Sequence, residues 1–113
     1  MVNLRRLPHD FRENTRFIAR LDCRFTCEDK IYDAVIVDLS RKGAMLISPF
    51  LPSTGKKISV AIRSDLSKDP LTLDGKVLRG NWVTTGYGRR GRFAVRFAHS
   101  HLDLMSLLVK LRQ

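Results

Sequence analysis

The feature that most constrains this chain is a two-residue hydrophobic alternation that recurs along it, broken every few residues by turn formers. Leu21, Cys23, Phe25 and Cys27 alternate with Asp22, Arg24, Thr26 and Glu28. Successive side chains of an extended chain point to opposite faces, so such a segment buries one face and wets the other. Glu28-Asp29-Lys30 reads as a polar turn and Ile31–Val37 as the returning strand, which makes a hairpin with a short loop. Ala44–Ile47 resumes the apolar pattern after the polar stretch Asp38–Gly43. Pro49, Pro52 and Gly55 bound a loop, and Ile58, Val60 and Ile62 then share one face of a fourth strand. Leu71–Leu78 is a fifth, in which Gly75 suggests a bulge or bend. Thr84–Gly91 reads as a Gly- and Arg-rich turn, and Phe93, Val95 and Phe97 face one way from the last strand.

The tail changes period. Ser100 can cap a helix, with Asp103 favouring the positive end of its dipole, and Leu104, Leu107, Leu108 and Leu111 recur at helical spacing. A helix is therefore expected over about residues 100–112. Residues 1–20, polar and interrupted by Pro8, read as a flexible N-terminal arm, which leaves residues 21–113 as the folded domain. Strands joined by local turns favour antiparallel pairing, and closing the sheet removes its unpaired edges. The expected fold is mainly β: a six-stranded antiparallel β-barrel with a C-terminal α-helix.

At 113 residues the chain suits a single domain. Its 21 Lys and Arg against 11 Asp and Glu give a net charge of +10, which points to an anionic partner without choosing one. No apolar run is long enough for a transmembrane helix, and Arg5 and Arg6 are not followed by the apolar stretch of a secretory signal, so neither membrane insertion nor export is expected. Cys23 and Cys27, four apart in a strand, would lie about 13 Å from each other, too far for a disulfide. They read as small buried hydrophobes of a reducing cytoplasm. His99 and His101 have no carboxylate or cysteine cluster beside them in the sequence, and no nucleophile–base pairing stands out. Neither a metal nor a catalytic residue is expected.

Two stretches carry chemistry. Arg12, Arg16 and Arg20 are spaced four and four just before the first strand. In a helix or turn they share a face; in extended chain they span about 13 Å per step, the scale of a dinucleotide. Guanidinium forks bind phosphate bidentately and match the O6 and N7 of guanine. The second stretch is Asp38-Leu39-Ser40-Arg41-Lys42-Gly43. An ionised Asp38 accepts hydrogen bonds, as from the N1–H and N2–H₂ of guanine, Ser40 both donates and accepts, and Gly43 permits positive φ or a close approach. Taken singly, these are also ordinary surface arginines and an ordinary hairpin turn.

Together, Arg-x-x-x-Arg at Arg16 and Arg20 and Asp-x-Ser-x-x-Gly at Asp38, Ser40 and Gly43 resemble the PilZ domain family. Gly75-Lys76-Val77-Leu78-Arg79 is similar to the family's Gly-x-Val strand, and Arg92–Phe97 to its closing strand. The resemblance runs from about Arg12 to Gln113. It implies a split barrel that binds the bacterial second messenger cyclic di-GMP, with no other cofactor. Arg16 and Arg20 would grip phosphate and the guanine Hoogsteen edge, with Arg12 auxiliary. Asp38 and Ser40 would read base edges, and Gly43 would let the turn approach. Arg12 and Arg16 satisfy the same spacing; Arg16 and Arg20 are preferred because Arg20 directly precedes the first strand. Thr15 stands where family members often carry a further arginine, which leaves one or two nucleotides per site open.

The expected mechanism is an arm that orders on the ligand and presents a new surface to a downstream protein partner. A homodimer stays open. The rival of another class is a basic small barrel for single-stranded nucleic acid, using Lys76, Arg79, Arg89, Arg90, Arg92 and Arg96 with Trp82, Tyr87 and Phe93 as stacking platforms. Against it, Phe93 is expected in the core, Trp82 over the barrel and the arginines in solvent, so nucleic acid is not the expected partner. A rival within the family is an adaptor that does not bind nucleotide.

Overall fold

The alternating segments pair into a closed barrel. In the computed structural model, which describes residues 20–63, 69–99 and 102–111, the elements are β1 (Leu21–Cys27), β2 (Lys30–Leu39), β3 (Gly43–Ser48), β4 (Lys57–Ile62), β5 (Leu71–Thr85), β6 (Gly88–Phe97) and α1 (Leu102–Leu111). The barrel runs β1-β2-β3-β6-β5-β4 and closes on β1, with every neighbouring pair antiparallel. This is the six-stranded antiparallel barrel with a C-terminal helix that the sequence predicts. Residues 1–19 of the arm and the helix cap Ser100 lie outside the described residues.

The inward set is the one the alternation marks. Cys23, Phe25 and Cys27, Ile58, Val60 and Ile62, and Phe93, Val95 and Phe97 are all buried in one core. Phe25 stacks on Tyr32 and meets Phe93 edge-on, both at 5.2 Å between ring centroids, and Tyr32 stacks in turn on Phe50 at 4.3 Å. Such ring contacts add to the burial itself. Helix α1 contributes Leu104, Leu107 and Leu108 to the same core. Both cysteines are free. Burial, with Asp22 and Asp33 adding to it, pushes the Cys23 thiol up to about 12, so it stays protonated and unreactive at neutral pH. No helix among the described residues is long and apolar enough to cross a membrane.

Three local expectations need correction. The β1–β2 turn is tighter than a three-residue loop: Cys27 pairs with Lys30, and Glu28 and Asp29 take φ of 51° and 67°. Positive φ at both central residues is the turn whose twist matches a two-residue hairpin. Gly75 is not at a bulge. It pairs regularly with Ile58 and Phe97, and a Cβ there would come within 2.7 Å of Val95 Cγ1 and 2.8 Å of the Arg96 carbonyl oxygen, so glycine allows close packing of β5 on β6. Thr84–Gly91 is mostly strand: β5 and β6 stay paired out to Thr85 and Gly88. Only Gly86 and Tyr87 turn, with Thr85 Oγ1 accepting from the Tyr87 N–H and donating to the Gly88 carbonyl.

Two register shifts matter more. One lies between Ile36 and Asp38 in the β2–β3 ladder, the other between Val77 and Arg79 in the β5–β6 ladder. An extra residue in one strand reverses which face the following side chains take. Ala34 and Ile36 point inward, and strict alternation would send Asp38 after them. Instead Leu39 is buried and Asp38 turns outward. Likewise Gly75 and Val77 point inward, yet Arg79 turns outward beside Ala94. Each shift brings a charged side chain to the outer surface.

Candidate ligand site

The two bulges feed one row. Asp38 pairs with Met45, Met45 with Ala94, and Ala94 with Arg79, so the row crosses β2, β3, β6 and β5. At about 4.8 Å between strands, a carboxylate and a guanidinium stand roughly 14 Å apart at its ends, over a floor of Met45 and Ala94. A parallel row places Gly43 beside Arg96 and Arg96 beside Lys76. Another places Ile47 beside Arg92 and Arg92 beside Asn81. The outer face of β3, β6 and β5 is thus a largely basic surface, with Asp38 at its β2 edge and Asp74 beyond Lys76 on β5.

Asp38, Ser40 and Gly43 are brought together. They line a depression of about 480 Å³ with Lys42, Leu78 and Arg96. It adjoins, through Met45, a second depression of about 400 Å³ lined by Arg79 and Arg92. The Ser40 N–H donates to the Gly43 carbonyl at 2.9 Å, closing the turn. Ser40 Oγ accepts from the Lys42 and Gly43 N–H groups, each at 3.3 Å, and is nearly buried. Its hydroxyl therefore shapes the turn. The Lys42 carbonyl accepts from the Phe97 N–H at 2.8 Å, which ties the turn to the end of β6.

Gly43 has a packing reason that the sequence does not show. Its φ is not in the left-handed region, and a Cβ there would collide with the Val95 carbonyl. The close approach that requires glycine is by β6.

Arg20 sits apart. It is exposed, directly before β1, and lines a third cleft of about 470 Å³ with Asp22, Arg24, Val35 and Val37. Val37 lines that cleft and Asp38 the depression beside it, so the two cavities meet at the β2 bulge. Arg12 and Arg16 lie outside the described residues.

Sequence reasoning missed Lys42 at the Asp38 turn. Arg89, adjacent in sequence to this basic set, is separated from Arg79, Arg92 and Arg96 in the fold. Arg89 lies on the core-side face of the hairpin beyond the barrel, its guanidinium 5.1 Å from the centre of the Trp82 ring. Trp82 is 44% exposed there and does not cover the barrel, whereas Phe93 is fully buried. Among the described residues, no three of His, Cys, Asp and Glu gather to hold a metal ion.

No curated protein sequence matches the chain. Solved structures share its fold. MotI/DgrA, the inhibitor of motility of Bacillus subtilis, superposes with a TM-score of 0.69 at 15% identity, over 93% of this chain and 54% of that one. The PilZ domain of YcgR from Escherichia coli, solved with c-di-GMP, gives 0.65 at 14% identity, over 90% and 88%. MrkH of K. pneumonia in its apo state gives 0.66 at 20%, over 97% and 53%. The chain thus spans about half the length of MotI/DgrA and MrkH. The PilZ domain family model matches residues 10–111, nearly the whole chain and both motif stretches. With the closed six-stranded barrel and the Asp38–Gly43 turn in place, the chain belongs to the PilZ domain family.

Proposed function

We propose that this chain is a cyclic di-GMP receptor that signals to a protein partner and performs no catalysis. The observation that carries the reading is the outward Asp38, re-aimed by the β2 bulge to the edge of a basic face and held beside the hydrogen-bonded Ser40–Gly43 turn. A carboxylate so placed accepts from the N1–H and N2–H₂ of a guanine, a pattern that no other common base presents. Arg79 and Arg96 add positive charge on the same face, suited to the two phosphates of the ligand. Membership of the PilZ family and the cyclic di-GMP-bound structure of the YcgR domain support the same ligand.

In this reading Arg16 and Arg20 clamp phosphate and guanine, with Arg12 auxiliary, and the nucleotide bridges them to the Asp38 turn. The arm before Arg20 then folds across the barrel, and the newly ordered surface is what a downstream protein reads. Ordering a segment on binding costs affinity but couples ligand to output.

Calorimetric titration of cyclic di-GMP into the wild type and Arg16→Ala/Arg20→Ala tests the site. The double variant is expected to lose at least about a hundredfold in affinity, since charge-assisted contacts carry about 1.5–3 kcal/mol each. Equal binding in both would sink the assignment, and no binding by the wild type would favour an adaptor without nucleotide. Trypsin cleavage within residues 1–20 should slow at saturating ligand; an unchanged rate would exclude the ordering step.

A further inference from the structure

The third cleft, of about 470 Å³, lies mostly outside the motif residues and has its own composition. Its floor is the outer face of the sheet, with Val35, Val37 and Ile47. The tip of the β5–β6 hairpin forms one wall and contributes Tyr87, which is 80% exposed. Arg20, Arg24, Arg63 and Arg90 surround this apolar strip against Asp22 and Asp33. Arg24 is spent on Asp33, its Nε donating to the carboxylate at 3.1 Å. Arg20, Arg63 and Arg90 then face the single carboxylate of Asp22. Arg20, directly before β1, and Arg24 within it are four residues apart, which sets a length of about 13 Å.

We propose that this cleft is the docking surface for an acidic segment of a partner protein that carries an aliphatic or aromatic anchor. The anchor lies on Val35, Val37 and Ile47 under Tyr87, and flanking carboxylates reach the arginines. Charge selects the occupant. The chain's own first nineteen residues carry Arg5, Arg6, Arg12 and Arg16 against Asp10 and Glu13, so they share the sign of the cleft. A second copy brings a net +10 to the same place. β1 and β3 are each flanked by two paired strands over much of this face, as is β2 between them, so side chains and not strand addition must do the recognition. A floor of three aliphatic side chains suits an apolar residue better than a base, whose edges need partners. Arginine and tyrosine around an apolar strip are also the composition of protein-binding hot spots.

Arg20 belongs to both the cleft and the nucleotide site proposed above, so the test avoids it. The 13.0 kDa chain is labelled for NMR and titrated with the peptide Glu-Glu-Leu-Glu-Phe-Glu-Glu, its counterpart with Lys for Glu, and separately with cyclic di-GMP. The acidic peptide is expected to shift the methyl signals of Val35, Val37 and Ile47 and the ring of Tyr87, and the basic one to leave them unmoved. Arg63→Gln/Arg90→Gln should weaken the acidic peptide by about tenfold or more, and should weaken cyclic di-GMP clearly less, since neither residue belongs to the nucleotide clamp. The proposal is overturned by absent shifts, by shifts confined to the Arg79 and Arg92 face, by binding unchanged in the variant, or by a variant that loses the nucleotide and keeps the peptide. Because nucleotide and peptide are read separately, failure of one reading leaves the other standing.

Discussion

At Gly43 a hydrogen atom stands where any other residue would press a methyl group into the Val95 carbonyl. The motif glycine is therefore a structural residue of the β3–β6 seam as well as a neighbour of Asp38. Gly43→Ala should destabilise the barrel by about 1–3 kcal/mol through overpacking against backbone that cannot yield cheaply. Urea unfolding reads this directly, and wild-type stability in the variant would show that β6 gives way. Ser40 is similar: its oxygen is occupied by two backbone N–H groups, so it supports the turn from which Asp38 projects. The residue types of both positions are legible in the sequence. Their physical reasons are not, because the atoms that impose them belong to the turn's own backbone and to a strand fifty residues away.

Among the elements, the β1–β2 hairpin holds two non-glycine residues at positive φ. Glu28 has a compensating ion pair with Lys56, whose ammonium holds the Glu28 carboxyl below its usual range. For Asp29 glycine would relieve the backbone at no steric cost. Asp29→Gly should raise stability by about 0.5–1 kcal/mol, read as a higher urea midpoint at unchanged slope. A fall would mean that the Asp29 side chain contributes more than its backbone costs.

The inward faces of β1, β4 and β6 are plain in the alternation because burial imposes it. The outer half of the β5–β6 hairpin is not, since β5 beyond Lys76 has no β4 partner and Gly88–Arg90 no β3 partner, and Arg79–Thr85 lose the one-sided burial that makes a pattern visible. Backbone hydrogen bonds, with Arg89 over Trp82, continue the ladder there. Both bulges escape notice for a related reason: a bulge is a mismatch between two strands, and neither strand shows it by itself.

On the scale of the whole molecule, the positive charge first suggests any polyanion, and the fold divides it. One share lies on the face of β3, β6 and β5 next to Asp38, another around the Arg20 cleft, and Arg89 lies over Trp82. A compact dianion read by a few directed contacts should respond to salt less than a polymer that releases many counterions. Cyclic di-GMP affinity is therefore expected to fall less than about tenfold between about 50 and 200 mM salt, while a thymidine oligomer held through six or more phosphates would lose roughly a few hundredfold or more. Parallel titrations of both decide it; equal slopes would return the nucleic-acid reading.

The reach of the β5–β6 hairpin has one more consequence. β4 pairs with β5 only as far as Lys76, and β3 with β6 only as far as Gly91, so beyond those points each hairpin strand has a strand neighbour on one side alone. Open edges of this kind are where copies of a chain join into aggregates and fibres. Here they carry Arg79, Arg89 and Arg90, and two such edges brought together would set guanidinium against guanidinium. Some of the arginine that looks like recognition thus also keeps one molecule from sticking to the next.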